Sequence, residues 1–176
     1  MTTNAQTPQE IADQAKQTYQ AGDYLPAAQA FGEAASAFAS AGDALQSAEM
    51  KNNQSVALLL GGEAQAALDS ADGTDKVFAE AGDFRRQGMA LANQASALEA
   101  LRRVKDAIDF YKRSADVLEK ANEGDLRADV MQLLAMHYLR RFKIYDAILT
   151  LQSGLAGVKT PTLRQRVMKK ILFVRL

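Results

Sequence analysis

The chain has 176 residues, 48% hydrophobic and 24% charged, enough for one ordinary domain or a short solenoid and too apolar for a disordered segment. It has no cysteine and one histidine, which excludes disulfide frameworks, thiol catalysis, cysteine-based zinc sites, His-based triads and multi-His metal centres. Net charge is zero, but residues 1–100 carry 13 acidic and 5 basic side chains and residues 101–176 carry 8 and 16, an asymmetry that points to interaction.

Residues 1–7 are polar and are expected to be disordered. They lack the basic stretch and apolar core of a secretory signal. Thr7-Pro8-Gln9-Glu10 then reads as a helix start, with Thr as N-cap, Pro at the first helical position and Glu three after the cap. Helical periodicity runs through Ile11, Ala12, Ala15 and Tyr19, and Ala21-Gly22-Asp23 ends that helix with a left-handed glycine. A second helix carries Ala27, Ala30, Phe31, Ala34, Phe38 and Ala41, and ends at Ala41-Gly42-Asp43.

The same grammar returns with a period of 40 residues. Positions 27, 67, 107 and 147 are all alanine. Ala81-Gly82-Asp83 and Ala121-Asn122-Glu123 continue the stops between pairs. Gly61-Gly62-Glu63, Arg102-Arg103-Val104 and Phe142-Lys143-Ile144 are the expected turns within pairs. Phe38, Phe78, Leu118 and Val158 share a register, as do Phe31, Ala71, Tyr111 and Leu151. Ala15, Ser55, Ala95 and Ala135 form a small-residue column that lets a facing helix approach closely. The second unit departs at Asp72-Gly73-Thr74-Asp75, where its helix is expected to kink or break. A last helix is expected from Thr160-Pro161, with Leu163, Val167, Ile171 and Val174 as an apolar stripe.

The expected fold is therefore all-α, a right-handed α-solenoid of four antiparallel helix pairs plus a C-terminal capping helix. Its units are about 8–42, 43–82, 83–122 and 123–158, within a repeat domain of 8–158; the capping helix occupies 159–176. The longest apolar run, Val56 to Leu60, is far short of a membrane span, so a cytoplasmic protein is expected.

Ala21-Gly22-Asp23-Tyr24 followed by Ala27, Phe31 and Ala34 resembles the turn and second helix of the tetratricopeptide repeat family. Asp106-Ala107-Ile108, Phe110-Tyr111 and Asp146-Ala147-Ile148 repeat the likeness, which covers about 150 residues. The familiar unit has about 34 residues. This longer one, with its Ala-Gly-Asp stops, is similar to the variant in SNAP-type vesicle-fusion adaptors and some bacterial regulators. The likeness is one of repeat style, and no fusion function follows from it. The resemblance implies a curved groove lined by the first helix of each pair, and a non-enzymatic role as a protein-binding scaffold. In chaperone-binding members a clamp of Lys, Asn and Arg grips a C-terminal carboxylate. Here only Asn53 matches, while Ala12, Met89 and Asn93 stand at the basic positions, which argues against that ligand.

Catalytic and metal signals are poor. His137 lies mid-helix beside Met136 and Tyr138 and reads as a partly exposed side chain without a placed partner. Asp69, Asp72 and Asp75 with Thr74 lack the ligand ladder and closing Glu of a calcium loop. Gly61-Gly62-Glu63 is too short to cradle phosphate. No cofactor is expected.

Angles about the helix axis select the groove residues. A position two before the small column is rotated about 200° from it. This and neighbouring positions give Lys16, Tyr19, Asn52, Asn53, Val56, Met89, Asn93, Ser96, Glu99, Gln132, Met136 and Arg140. Amides among them can pair with a peptide backbone, and methionines offer adaptable apolar contact. The expected partner is a protein or peptide of unknown identity. The alternative is a self-associating regulatory module, a homodimer formed through the apolar last helix or the charge-split faces. The basic C-terminal third carries no recognised nucleic-acid element, and neither nucleic acid nor an anionic membrane is the expected partner.

Overall fold

The computed structural model describes residues 6–172. Ten helices follow one another: α1 (Pro8–Gln20), α2 (Tyr24–Ser40), α3 (Ala44–Leu60), α4 (Ala64–Ala71), α5 (Thr74–Glu80), α6 (Phe84–Ala100), α7 (Val104–Lys120), α8 (Gly124–Arg140), α9 (Ile144–Ala156) and α10 (Leu163–Leu172). There is no strand among the described residues. Each helix packs chiefly on its neighbours in the chain, with α4 and α5 together filling one helix's place between α3 and α6, giving the antiparallel pairs of an α-solenoid.

The backbone repeats every 20 residues. Helices α2, α3, α6, α7 and α8 each have 17 residues, and a three-residue turn separates them from the next. Every such turn is a Schellman motif, in which two N–H groups just past the helix satisfy its orphan carbonyls. In the first, Asp23 N donates to Thr18 O and Gly22 N to Tyr19 O. The same pair of bonds recurs at 42–43, 62–63, 82–83, 102–103, 122–123 and 142–143. The motif needs one left-handed residue. Gly22, Gly42, Gly62 and Gly82 supply it with φ of 71–88°, and then Arg102 (62°), Asn122 (58°) and Phe142 (57°) take the position. Asparagine tolerates this conformation, whereas arginine and phenylalanine are strained in it. The two later turns within pairs thus begin at Leu101 and Arg141, one residue before the expected positions.

The first helix opens on a complete capping box: Glu10 N donates to Thr7 Oγ1 (3.2 Å) and Thr7 N to Glu10 Oε2 (2.8 Å). The last one corrects the sequence reading. Its cap is Thr162, whose hydroxyl accepts from Gln165 N while Gln165 Oε1 accepts from Thr162 N, so α10 begins two residues later than Thr160-Pro161 suggests.

Side chains repeat every 40 residues. Ala27, Ala67, Ala107 and Ala147 are each 0% exposed, and Ala15, Ser55, Ala95 and Ala135 are equally enclosed. Phe38, Phe78, Leu118 and Val158 are buried in one register; in the other, Phe31, Ala71 and Tyr111 are buried and Leu151 is half-buried. Close approach extends to backbones. A Cβ at Gly124 would lie 1.8 Å from the Gly157 carbonyl oxygen, so the start of α8 and the end of α9 touch without side chains between them.

In the second unit the outer helix breaks into α4 and α5 at Asp72-Gly73, with Gly73 at φ 75°. Thr74 Oγ1 donates to Ala71 O (2.7 Å) across the break. Asp75 turns inward, accepts from Gln94 Nε2 (3.1 Å) and faces Arg113 at 3.6 Å, tying α5 to α6 and α7. Asp69 instead accepts from Gln65 on its own helix (2.7 Å), so these carboxylates engage separately. At the C-terminal end, Met168 and Leu172 of α10 pack on Ala128, Leu155 and Val158. Leu163, Val167 and Ile171 lie exposed on the other side of α10, and Val174 falls outside the described residues.

The strained turns give a test. Gly62→Ala forces a Cβ into the left-handed region and should cost about 1–2 kcal/mol. Arg102→Gly removes that strain at some entropic cost and should stabilise by roughly 1 kcal/mol. Urea unfolding midpoints should move in opposite directions; shifts of the same sign would contradict the account of these turns.

Candidate protein-binding face

The first helices of the pairs, α1, α3, α6 and α8, carry the residues selected for partner binding. The structure groups them into three zones. In the first, Lys16, Tyr19 and Gln20 of α1, Phe31 of α2 and Asn53 and Val56 of α3 line an open pocket of about 330 Å³. The Tyr19 ring packs edge-on to Phe31 (6.4 Å between centroids) and lies 5.6 Å from Tyr24, which fixes one aromatic wall. Lys16 is exposed, with Asp13 at 3.5 Å. The pocket combines an aromatic floor, an aliphatic wall, an amide and a cation.

The second zone is polar. Asn93 Nδ2 of α6 donates to Asn52 Oδ1 of α3 (2.9 Å), a direct bond between adjacent first helices. Asn52 is only 7% exposed, so its acceptor is already used and it departs from the groove-facing role expected of it. Its column borders the core: Ala12, 40 residues earlier, is also buried, while Ala92 and Gln132, 40 and 80 residues later, are half-buried. Asn93 is half-buried, as are Met89 and Gln132.

Farther along, Glu99 gathers three side chains, with a fourth bonded to one of them. Its Oε1 accepts from Arg140 NH1 (2.9 Å) and its Oε2 from Tyr111 OH (3.2 Å), which is also 3.1 Å from Ser96 Oγ. His137 Nε2 lies 3.1 Å from Glu99 Oε2, off the line of a well-directed hydrogen bond. Burial alone would raise the Glu99 pKa, but the bond from Arg140, the charge and contact of His137 and the Tyr111 hydroxyl outweigh it and hold the carboxyl below its usual range. The Tyr111 phenol is pushed up to about 12, chiefly by burial, with the Glu99 charge adding and the Ser96 bond opposing.

His137 corrects the sequence reading. It is 3% exposed, with its ring 5.8 Å from that of Tyr111. Its column explains why: Ala57 and Ala97, at 40-residue intervals before it, are both fully enclosed. The register that locates the groove therefore also marks this histidine as a packing residue. In the third zone, Met136 is exposed beside Leu133 and Leu139 on α8, leaving an apolar strip next to Arg140.

Solved structures share this arrangement. The TPR-like repeats of a Podosopora anserina protein assigned as a kinesin light chain superpose with a TM-score of 0.72 at 15% identity, covering 94% of this chain and 84% of that one. A Q17M variant of the same protein gives 0.73 at 15% identity, covering 97% and 88%. The fold is a TPR-like solenoid. No family model matches the sequence, and no curated protein matches it. No described helix is long and apolar enough to cross a membrane, and no group of three or more His, Asp or Glu among the described residues could hold a metal ion.

The Glu99 cluster predicts a pH dependence. Because its folded pKa is depressed, its contribution is present above the unfolded value near 4.3 and is lost as pH falls through the lower folded value. Glu99→Gln should therefore be less stable than the wild type at pH 7, and the gap should shrink in acid. Urea titrations at both pH values check this; a gap that widens in acid would contradict it.

Proposed function

We propose that the chain is a cytoplasmic, non-enzymatic adaptor that holds an extended peptide or helix of a partner protein along α1, α3, α6 and α8. Repeat solenoids of this kind present long surfaces suited to such segments. The observation that carries the reading is the pocket where Lys16, Tyr19, Asn53 and Val56 converge between α1 and α3. It suits one apolar anchor side chain, with the Asn53 amide free to pair with the adjoining peptide backbone. The Met136 strip gives a second apolar contact at the other end of the face. Between them, the Asn52–Asn93 bond and the Glu99 cluster hold the face rigid, which lowers the ordering cost of binding.

Panning a random peptide library against the protein provides ligands whatever the natural partner is. Val56→Arg and Asn53→Trp should each weaken selected peptides by about tenfold or more, as expected when a central anchor site is blocked. Circular dichroism should stay unchanged. Selected peptides that bind both variants as well as the wild type would overturn the assignment of the face.

A further inference from the structure

The turns inside the pairs, at 21–23, 61–63, 101–103 and 141–143, have a property the other turns lack. The residue after each left-handed position is charged, and its sign reverses halfway along: Asp23, Glu63, Arg103, Lys143. At the turns between pairs the same position stays acidic, as Asp43, Asp83 and Glu123. Two of these have a local task, since Asp43 caps Gln46 N (3.0 Å) and Asp83 caps Arg86 N (2.9 Å). Asp23 and Glu63 make no such cap bond and no ion pair among the described residues. Arg103 and Lys143 reach only exposed carboxylates three residues on, Asp106 at 2.8 Å and Asp146 at 3.8 Å.

Apolar side chains accompany both halves. Leu25 and Leu60 are exposed beside the first two turns, which lie together: a Cβ at Gly61 would sit 2.4 Å from Leu25 Cδ2. The third and fourth turns also adjoin, with Arg103 and Arg141 lining one notch. At the fourth, Phe142 is 89% exposed in the left-handed conformation that glycine fills in earlier turns, with Tyr145 exposed after it. A strained aromatic that packs on nothing in its own chain adds no stability to the monomer.

We propose that this edge pairs with the same edge of a second copy of the chain, running antiparallel about a two-fold axis between the second and third turns. Glu63 then meets Arg103 of the second copy and Asp23 meets its Lys143, and each contact occurs twice, as an isologous interface requires. Phe142 falls against Leu25 of the other copy. The row of four turns is small for a stable interface, so the dimer is weak, in the micromolar range. The binding face on α1, α3, α6 and α8 stays open, and the two proposals stand or fall separately.

Sedimentation velocity on the full chain, from low to several hundred micromolar at low ionic strength, tests the pairing. The wild type should dimerise, and added salt should weaken it. Glu63→Arg and Arg103→Glu each place like charges opposite one another and should weaken dimerisation by about tenfold or more. Each installs a charge that another unit already carries at that position. An equimolar mixture of the two variants should recover wild-type association, because position 63 of one then faces the opposite charge at position 103 of the other. The Asp23→Lys and Lys143→Glu variants should behave likewise. A monomeric wild type, single variants that dimerise unchanged, or mixtures that fail to recover would overturn the proposal. So would a monomer that instead binds anionic phospholipid vesicles through Phe142.

Discussion

The structure depends on how closely its helices approach one another. Ala27, Ala67, Ala107 and Ala147 sit at the contacts with no exposed surface, and the enclosed small column from Ala15 to Ala135 faces them from the first helices. Small residues at both positions let backbones come near the short end of the usual interhelical range of about 8–10 Å. Large residues in the neighbouring registers, such as Phe31, Phe78, Tyr111 and Leu118, then fill the remaining space. The Schellman turn fixes the other dimension. One left-handed residue every 20 positions reverses the chain after a constant helix length and keeps the alanines in step. Where Arg102 and Phe142 occupy that position the chain keeps the geometry and carries strain, so the packing rather than the turn residue sets the register there.

That division of labour leaves two kinds of surface. The face of α1, α3, α6 and α8 has polar side chains bonded across units: Asn93 to Asn52, and Arg140 to Glu99. Both pairs span 41 residues, one unit plus one position, so the repeat that builds the core also stitches this face. The bonds use up polar groups that would otherwise be offered to a partner, and they concentrate the available chemistry at the Lys16–Val56 pocket and the Met136 strip. The edge of turns within pairs differs. Among the described residues no side-chain bond joins one unit to the next there, and its charge reverses between Glu63 and Arg103, so it varies where the core is constant.

Most of the fold is legible in the sequence because helix length, stop signals and apolar columns all repeat at fixed intervals. The break at Gly73 is legible too, since Asp72-Gly73-Thr74-Asp75 interrupts a helical pattern the other units continue. Less of the face can be read. Lys16, Tyr19, Asn53 and Val56, which share a face by their angle about the helix axis, line one pocket because α1 and α3 are neighbours in the same register. The same angle misjudges Asn52, which lies at the border between core and face, where a few degrees of rotation decide burial. His137 misleads for a different reason: weighed as chemistry it looks exposed, while its column of Ala57 and Ala97 marks it as packing. The start of α10 is ambiguous because two threonines flank Pro161, and only Thr162 has Gln165 three residues on to complete the box.

The central claim is that the partner docks on the face of the first helices, touching α2 only at Phe31 in the pocket, and leaves the outer faces of the second helices untouched. Methyl-labelled NMR of the protein titrated with a panned peptide tests it directly. The account predicts shifts at Val56, Met89 and Met136, with Ile108 of α7 and Leu149 of α9 unmoved. Shifts concentrated at Ile108 and Leu149, with Val56 unchanged, would contradict it.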